Sequence, residues 1–377
     1  MAEFRHFDLS IFDPPFKSHL TDLVIDLNHL RQKKLEGTTH SALFFQIKSI
    51  FQMLESIGSA RIEGNNTTLL EYIEKKADQQ EDAQENTQEI HNIEKALAFI
   101  DDLVEEHPIN RAFVSELHKR VVVGLNQEGD KTPGAYRIHS VKIAKSQHRP
   151  PEPHLIVDYM DELFAFIAEN SSAKYDLLKV AQAHHRFVWI HPFGNGNGRT
   201  VRLLTYAMLI KYGFNVKQGR ILNPTAVFCN NRQLYYDYLS QADQGNIMPW
   251  CEYVLDGIKG EIEKIDRLLD YPYLQDKILL PALLDARQQE IITDLEQKIL
   301  NIAVEKQTIQ ASDLKRLFQG KAPHDISRRI AILKDKNLLQ ALEEGKRTYL
   351  PCFINNRLMR SMMRVLDRQG FLPFRNE

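Results

Sequence analysis

Apolar residues recur along most of this chain at the three- and four-residue steps of a helix buried on one face. Leu43, Phe44, Ile47, Phe51, Leu54 and Ile57 give the first such face, which ends near Gly58. The run ADQQEDAQENTQE, Ala77 to Glu89, is polar and acidic and reads as a solvated loop or an exposed helix edge. Helical spacing resumes at Ile93, Leu97 and Ile100, again at Phe113, Leu117 and Val121, and strongly from Leu155 to Ile167. One stretch breaks this rule. PGAYRIHSVKIAK puts Pro133 and Gly134 at a turn and alternates Val141 and Ile143 with polar neighbours, before the prolines of HRPPEP stop any helix, so a short hairpin is predicted. Two more helical faces, Leu177 to Trp189 and Leu203 to Ile210, flank the stretch HPFGNGNGRT.

The C-terminal order differs. An apolar helix runs to Val304, the polar start of TIQASDLKRLF caps a second, APHDISRRIAILKDKNLL forms a third, and LQALEEGKRTYLP makes a hairpin turning at Glu344 and Gly345. This order resembles a winged helix. Lys315, Arg316, Arg328, Arg329, Lys334 and Lys336 are interspersed there with Asp313, Asp325, Asp335, Glu343 and Glu344, so no clear basic stripe results. A protein-interaction or dimer role is favoured over DNA, which stays the alternative.

Composition narrows the function classes. The 377 residues suffice for two or three domains, and 43% hydrophobic content is ordinary for a globular chain. A formal net charge of -2 gives no global field for nucleic acid. Cys229, Cys251 and Cys352 are scattered and odd in number, which fits reduced thiols of a cytoplasm better than a disulfide framework. MAEFRHFDLS lacks an apolar signal core, and no stretch approaches the roughly 20 apolar residues of a membrane span.

The glycine-rich stretch carries the chemistry. It joins helix to helix, whereas a dinucleotide fingerprint follows a strand, and its last glycine precedes Arg199 rather than the Lys of a Walker loop. Bare backbone N-H groups at a helix N-terminus favour a phosphate, and Arg199 and Arg202, three apart, fall on one face of that helix. A plain helical turn is the blander alternative. His184, His185 and His191 make no H-E-x-x-H pair and no carboxylate stands among them, which argues against a metal trio. His191, immediately before the loop, is placed to take a proton from a hydroxyl attacking the bound phosphate.

HPFGNGNGRTVR resembles the signature of the Fic family, H-x-F-x-[DE]-G-N-G-R-x-x-R, at every specified position but one. The resemblance implies an all-α fold, a helical Fic core with a β-hairpin flap, and transfer of AMP from ATP to a Ser, Thr or Tyr hydroxyl of a protein. It implies His191 as general base, Phe193 as loop anchor, and Gly196, Asn197 and Gly198 as anion hole, with Arg199, Thr200 and Arg202 completing the nucleotide site. The segment Val141, Lys142, Ile143, Ala144 is similar to the flap that aligns a target by strand addition. In NRQLYYDYLSQAD, Tyr235 and Tyr236 are candidate adenine contacts or core residues. The departure is Asn195, where the family carries Asp or Glu for magnesium; an amide oxygen is the weaker ligand.

SARIEGN, from Ser59, is similar to the family's inhibitory motif [ST]-x-x-x-E-[GN]. It implies a helix around 55–64 whose Glu63 forms a bidentate pair with Arg202 and keeps ATP from a productive pose. The expected layout is an N-terminal helical region over 1–95, a Fic core over 96–265 and the winged-helix-like region over 285–360. An autoinhibited adenylyltransferase is therefore expected, in the cytoplasm, as a homodimer, with a protein substrate that includes itself as a candidate. A DNA-binding regulator with a Fic core that senses or transfers another nucleotide is the alternative.

Overall fold

The computed structural model describes residues 4–32, 38–78, 84–143, 146–214, 222–320, 322–343 and 345–372. Helices dominate these residues, and the chain divides into two compact units. The first draws on Met1–Leu35, Gln52–Thr67 and Glu81–Glu263, and the second on Glu36–Phe51, Thr68–Gln80 and Lys264–Glu377. No helix among the described residues is long and apolar enough to cross a membrane.

In the first unit the helix Asp176–Ile190 packs on Asn197–Lys211, which also meets Arg111–Val122 and Glu85–Leu103. Asp176–Ile190 is buried almost all round, so its polar side chains must find partners inside. Gln182 accepts from Phe12 N at 2.9 Å, Arg186 donates to Phe7 O at 3.0 Å and to Glu162, and His185 meets Asp243 at 3.0 Å. The bonds to Phe12 and Phe7 tie the N-terminal segment to the helix that leads into the glycine loop.

The helix Ser41–Glu63 contributes to both units and runs straight through Gly58, where the apolar pattern predicts its end. Gly58 faces Thr225 and Cys229, and a Cβ there would meet them at ordinary contact distances, 3.5 Å from Thr225 Cγ2 and 3.7 Å from Cys229 Sγ. The actual stop is Gly64, at φ 107, after which Asn65 N-H returns to Ala60 O at 3.1 Å. The polar run after Ala77 also needs correcting. Residues 79–83 lie outside those described, but Glu85–Leu103 is helical, and Thr87 and Glu89 are buried.

In the second unit Leu280–Gln288 packs on Asn356–Arg368, and Thr293 and Glu296 form a reciprocal capping box for Asp294–Lys306. The predicted second helix is a 3-10 turn, Ala311–Leu314, because the chain reaches Gly320 at φ 78 after anchoring only Leu314 and Phe318. Pro323–Asp335 follows, then the antiparallel strands Leu339–Ala341 and Tyr349–Pro351, with Leu339 opposite Pro351. Glu344 of the predicted turn lies outside the described residues. Gln46 holds the exit of this hairpin, donating to Pro351 O at 3.0 Å and accepting from Phe353 N at 2.8 Å.

Among the described residues, the hairpin predicted after Pro133 does not appear as a ladder. Among the described residues of 133–150 the longest strand feature is a single bridged residue, His148. Side-chain bonds hold this segment instead: Arg137 donates to His139 O at 2.9 Å and to Pro151 O at 2.7 Å, and His148 Nε2 meets Trp189 O at 2.8 Å.

Candidate active site

His191 ends the helix Asp176–Ile190 in the left-handed region, φ 51, with its N-H bonded to Phe187 O at 2.9 Å. The chain then turns through Pro192 to Gly196, at φ 73, where Asn197–Lys211 begins. One side chain closes this loop. Asn197 Oδ1 accepts from Phe193 N at 3.0 Å and Asn197 Nδ2 donates to Phe193 O at 2.9 Å. Phe193 is fully buried, stacked on His118 with ring centroids 3.7 Å apart. Thr200 is also buried, its hydroxyl donating to Gly196 O at 2.8 Å, so it caps the loop from within.

Three residues that the sequence pattern does not single out hold the loop from outside. His118 Nδ1 accepts from Gly134 N at 2.8 Å, so its Nε2 carries the proton and donates to Asn195 O at 3.0 Å. Burial pushes this imidazole down to about 4 and keeps it neutral. Asp130 accepts from Asn195 N at 3.0 Å. Arg137 donates through Nε to His191 O at 2.8 Å, and its own N-H meets Pro192 O at 2.9 Å. No local signal marks His118 or Asp130; Arg137 stands inside PGAYRIH, read only for its turn.

The His191 imidazole is partly exposed, and burial pushes it down to about 4, against the pull of the Val188 carbonyl. It is therefore a free base at neutral pH. Beside it a carboxylate lies against the first turn of the next helix. A Cβ on Gly198 would collide with Glu63 Oε1 and stand 3.0 Å from Glu63 Cδ, so only glycine admits the carboxylate to the first turn of Asn197–Lys211. Glu63 Oε1 accepts from Arg202 Nη2 at 2.7 Å. The expected bidentate pair is a shared fork instead: Arg202 Nε donates to Ser59 Oγ at 2.8 Å, and Nη2 donates also to Ser59 O at 2.9 Å. Burial works to raise Glu63, but Arg202 and then Arg199 hold it below its ordinary value.

Arg199 is buried and turned to other partners. Its Nη1 lies 2.8 Å from Glu89 Oε1, and its Nη2 donates to Glu128 O at 2.7 Å. Tyr235 is buried, its hydroxyl 2.9 Å from His184 Nε2, whereas Tyr236 is 39% exposed with Arg232 5.6 Å from its ring. Val141, Lys142 and Ile143 have no regular secondary structure and are partly or fully exposed; Ala144 lies outside the described residues. Asn195 is engaged at both ends, Oδ1 accepting from Gly196 N at 2.7 Å and Nδ2 donating to Gln127 O at 3.4 Å. Asp130 is committed to Asn195 N and to Thr132 N at 2.8 Å, and no group of three His, Cys, Asp or Glu among the described residues could hold a metal ion. These residues do not fit a magnesium ion held by the protein alone.

Comparison with known proteins agrees with this geometry. Residues 108–209 match the model of the Fic/DOC family. It is 30% identical over 172 residues to Protein adenylyltransferase Fic of Nematostella vectensis, covering 44% of this chain and 36% of that one. With the Drosophila melanogaster protein of the same name it shares 30% over 204 residues, 52% of this chain and 39% of that one. These matches span less than two fifths of the relatives' own length. A Fic family protein from Desulfovibrio desulfuricans G20 has the same fold at a TM-score of 0.55 and 17% identity, covering 90% of this chain and 98% of that one. Fic-1 (aa134–508) from C. elegans aligns at a TM-score of 0.55 and 21% identity, covering 65% and 71%.

Proposed function

We propose that the chain is an autoinhibited protein adenylyltransferase that moves AMP from ATP to a Ser, Thr or Tyr hydroxyl of a protein. The observation that carries this is the Glu63 carboxylate seated on Gly198 and bonded to Arg202. An anion already occupies the ground a nucleotide phosphate needs, and it comes from the chain itself. In the released state the backbone N-H groups at Asn197–Lys211 and the Arg202 guanidinium receive the phosphates. His191, neutral at pH 7, takes the hydroxyl proton as the oxygen bonds to the α-phosphorus. The bond from that phosphorus to the bridging oxygen breaks, and pyrophosphate leaves. Tyr236, the exposed member of its pair, offers a ring face to the base. Any magnesium is brought as part of the nucleotide substrate.

The test separates AMP transfer from phosphate transfer. Glu63→Gly protein is incubated with cell lysate and ATP labelled at either the α- or the γ-phosphate. Protein bands labelled only from α-labelled ATP are expected, and their loss in Glu63→Gly/His191→Ala. Labelling from γ-labelled ATP, or none from either in folded protein that binds ATP, overturns the reading.

A further inference from the structure

Glu63 stands where its own helix does least to hold it. It is the last residue of Ser41–Glu63, and the negative end of that helix dipole disfavours a carboxylate there. The turn that follows passes through Gly64 at φ 107, and helix ends of this kind fray. An outside tether is needed, and Asn65 supplies one. It is 7% exposed; its Nδ2 donates to Glu89 Oε2 at 2.7 Å and to Asn86 O at 2.8 Å, and its Oδ1 accepts from Thr67 N at 3.0 Å. The other oxygen of Glu89 lies 2.8 Å from Arg199 Nη1. One buried carboxylate on Glu85–Leu103 thus grips both Arg199, in the first turn of Asn197–Lys211, and the residue two beyond Glu63.

From this network we propose that Asn65 is a positioning residue for the inhibitory contact: its amide, anchored on Glu89 and Asn86, keeps the last turn of Ser41–Glu63 wound so that Glu63 stays over Gly198. The inference rests on the autoinhibition reading above. Removing the amide leaves Glu63, Arg202 and His191 chemically unchanged, and leaves Arg199 its contact with the other Glu89 oxygen, while loosening the turn that carries the carboxylate. The released population then rises by the worth of one hydrogen bond to a charged group, roughly tenfold or more.

The experiment measures AMP incorporation from α-labelled ATP by Asn65→Ala, Asn65→Ser, Glu63→Gly and Glu63→Gly/Asn65→Ala beside the parent. Asn65→Ser keeps an acceptor for Thr67 N-H but lacks the amide donors, so it stands in if alanine prevents folding. Both Asn65 variants are expected to raise the rate about tenfold, and the double variant to add nothing to Glu63→Gly. A merely structural Asn65 would lower melting temperature and rate together. A rise in Glu63→Gly without one in either Asn65 variant overturns the tether and leaves the inhibitory reading standing. No rise in any variant overturns both. A further rise from Asn65→Ala in the Glu63→Gly background overturns the tether too, because the effect would not pass through Glu63.

Discussion

Replacing Glu55 by Gln changes how stability depends on pH, in a direction the burial of its carboxyl dictates. Glu55 lies two turns before Glu63 on the same helix, where it accepts from Thr225 N at 3.0 Å and pairs with the Thr225 hydroxyl. Burial pushes its carboxyl up from the usual 4.5 to about 8, although the Thr225 bonds and the more distant Arg202 pull it down. The fold therefore prefers the protonated acid. Below pH 4.5 both folded and unfolded chains carry that proton and the contribution is fully present; as pH rises towards 8 only the unfolded chain releases it, so stability falls. The whole loss is at most about 5 kcal/mol, from 1.36 kcal/mol for each pH unit between the two values. Gln keeps an acceptor for Thr225 N-H and cannot ionise. Denaturant unfolding of both proteins between pH 5 and 7.5 should show Glu55→Gln gaining on the parent by roughly 1 kcal/mol or more for each pH unit, with the gain levelling off above pH 8. A gap that is constant across this range, or that narrows as pH rises, would refute the reasoning.

Other consequences are as direct. His191→Ala should keep the fold and ATP binding while lowering transfer by about 10² to 10⁴, the usual worth of a general base; an unchanged rate in the Glu63→Gly background removes the assignment. Because the folded His191 titrates near 4, kcat/KM of Glu63→Gly should stay flat from pH 8 to about 5.5. Its acid limb should appear only below that, as the ring protonates; a limb centred near 6.5 contradicts the burial argument. Asn195→Asp adds an anionic oxygen where the loop has an engaged amide, so the magnesium concentration giving half-maximal transfer should fall. Superimposable metal titrations of the two proteins dispose of that idea.

Much of the site was legible because its parts are adjacent in sequence. His191, the glycines, Asn197, Arg199 and Arg202 lie within a dozen residues, and a loop between two helices follows from their flanking apolar steps. Ser59 and Glu63 were legible only through their motif, and the sharing of the Arg202 fork between them was not, since it depends on the register of Ser41–Glu63 against Asn197–Lys211. His118, Asp130, Arg137, Asn65 and Glu89 act through contacts across the chain, and single polar residues carry no periodic signal. Glu89 was misread with its polar run, because Arg199 and Asn65 make its burial tolerable. Gly58 was misread as a terminus because intrinsic propensity disfavours it in a helix, whereas the helix continues past it to Glu63. The alternation at Val141 and Ile143 was too short to specify a paired strand.

The central claim, that Glu63 blocks the phosphate site by holding Arg202, is tested most directly by intact-mass measurement of AMP added to protein in four variants. These are the parent, Glu63→Gly, Arg202→Ala and the double variant, with Glu63→Ala beside Glu63→Gly to separate a lost charge from the helix cost of glycine, about 1 kcal/mol. Release of Arg202 predicts a large gain from Glu63→Gly and Glu63→Ala in the parent background, and little gain once Arg202 is alanine. If both Glu63 variants stay folded, bind ATP and add no more AMP than the parent, the pair is a structural ion pair and the chain is not its own inhibitor.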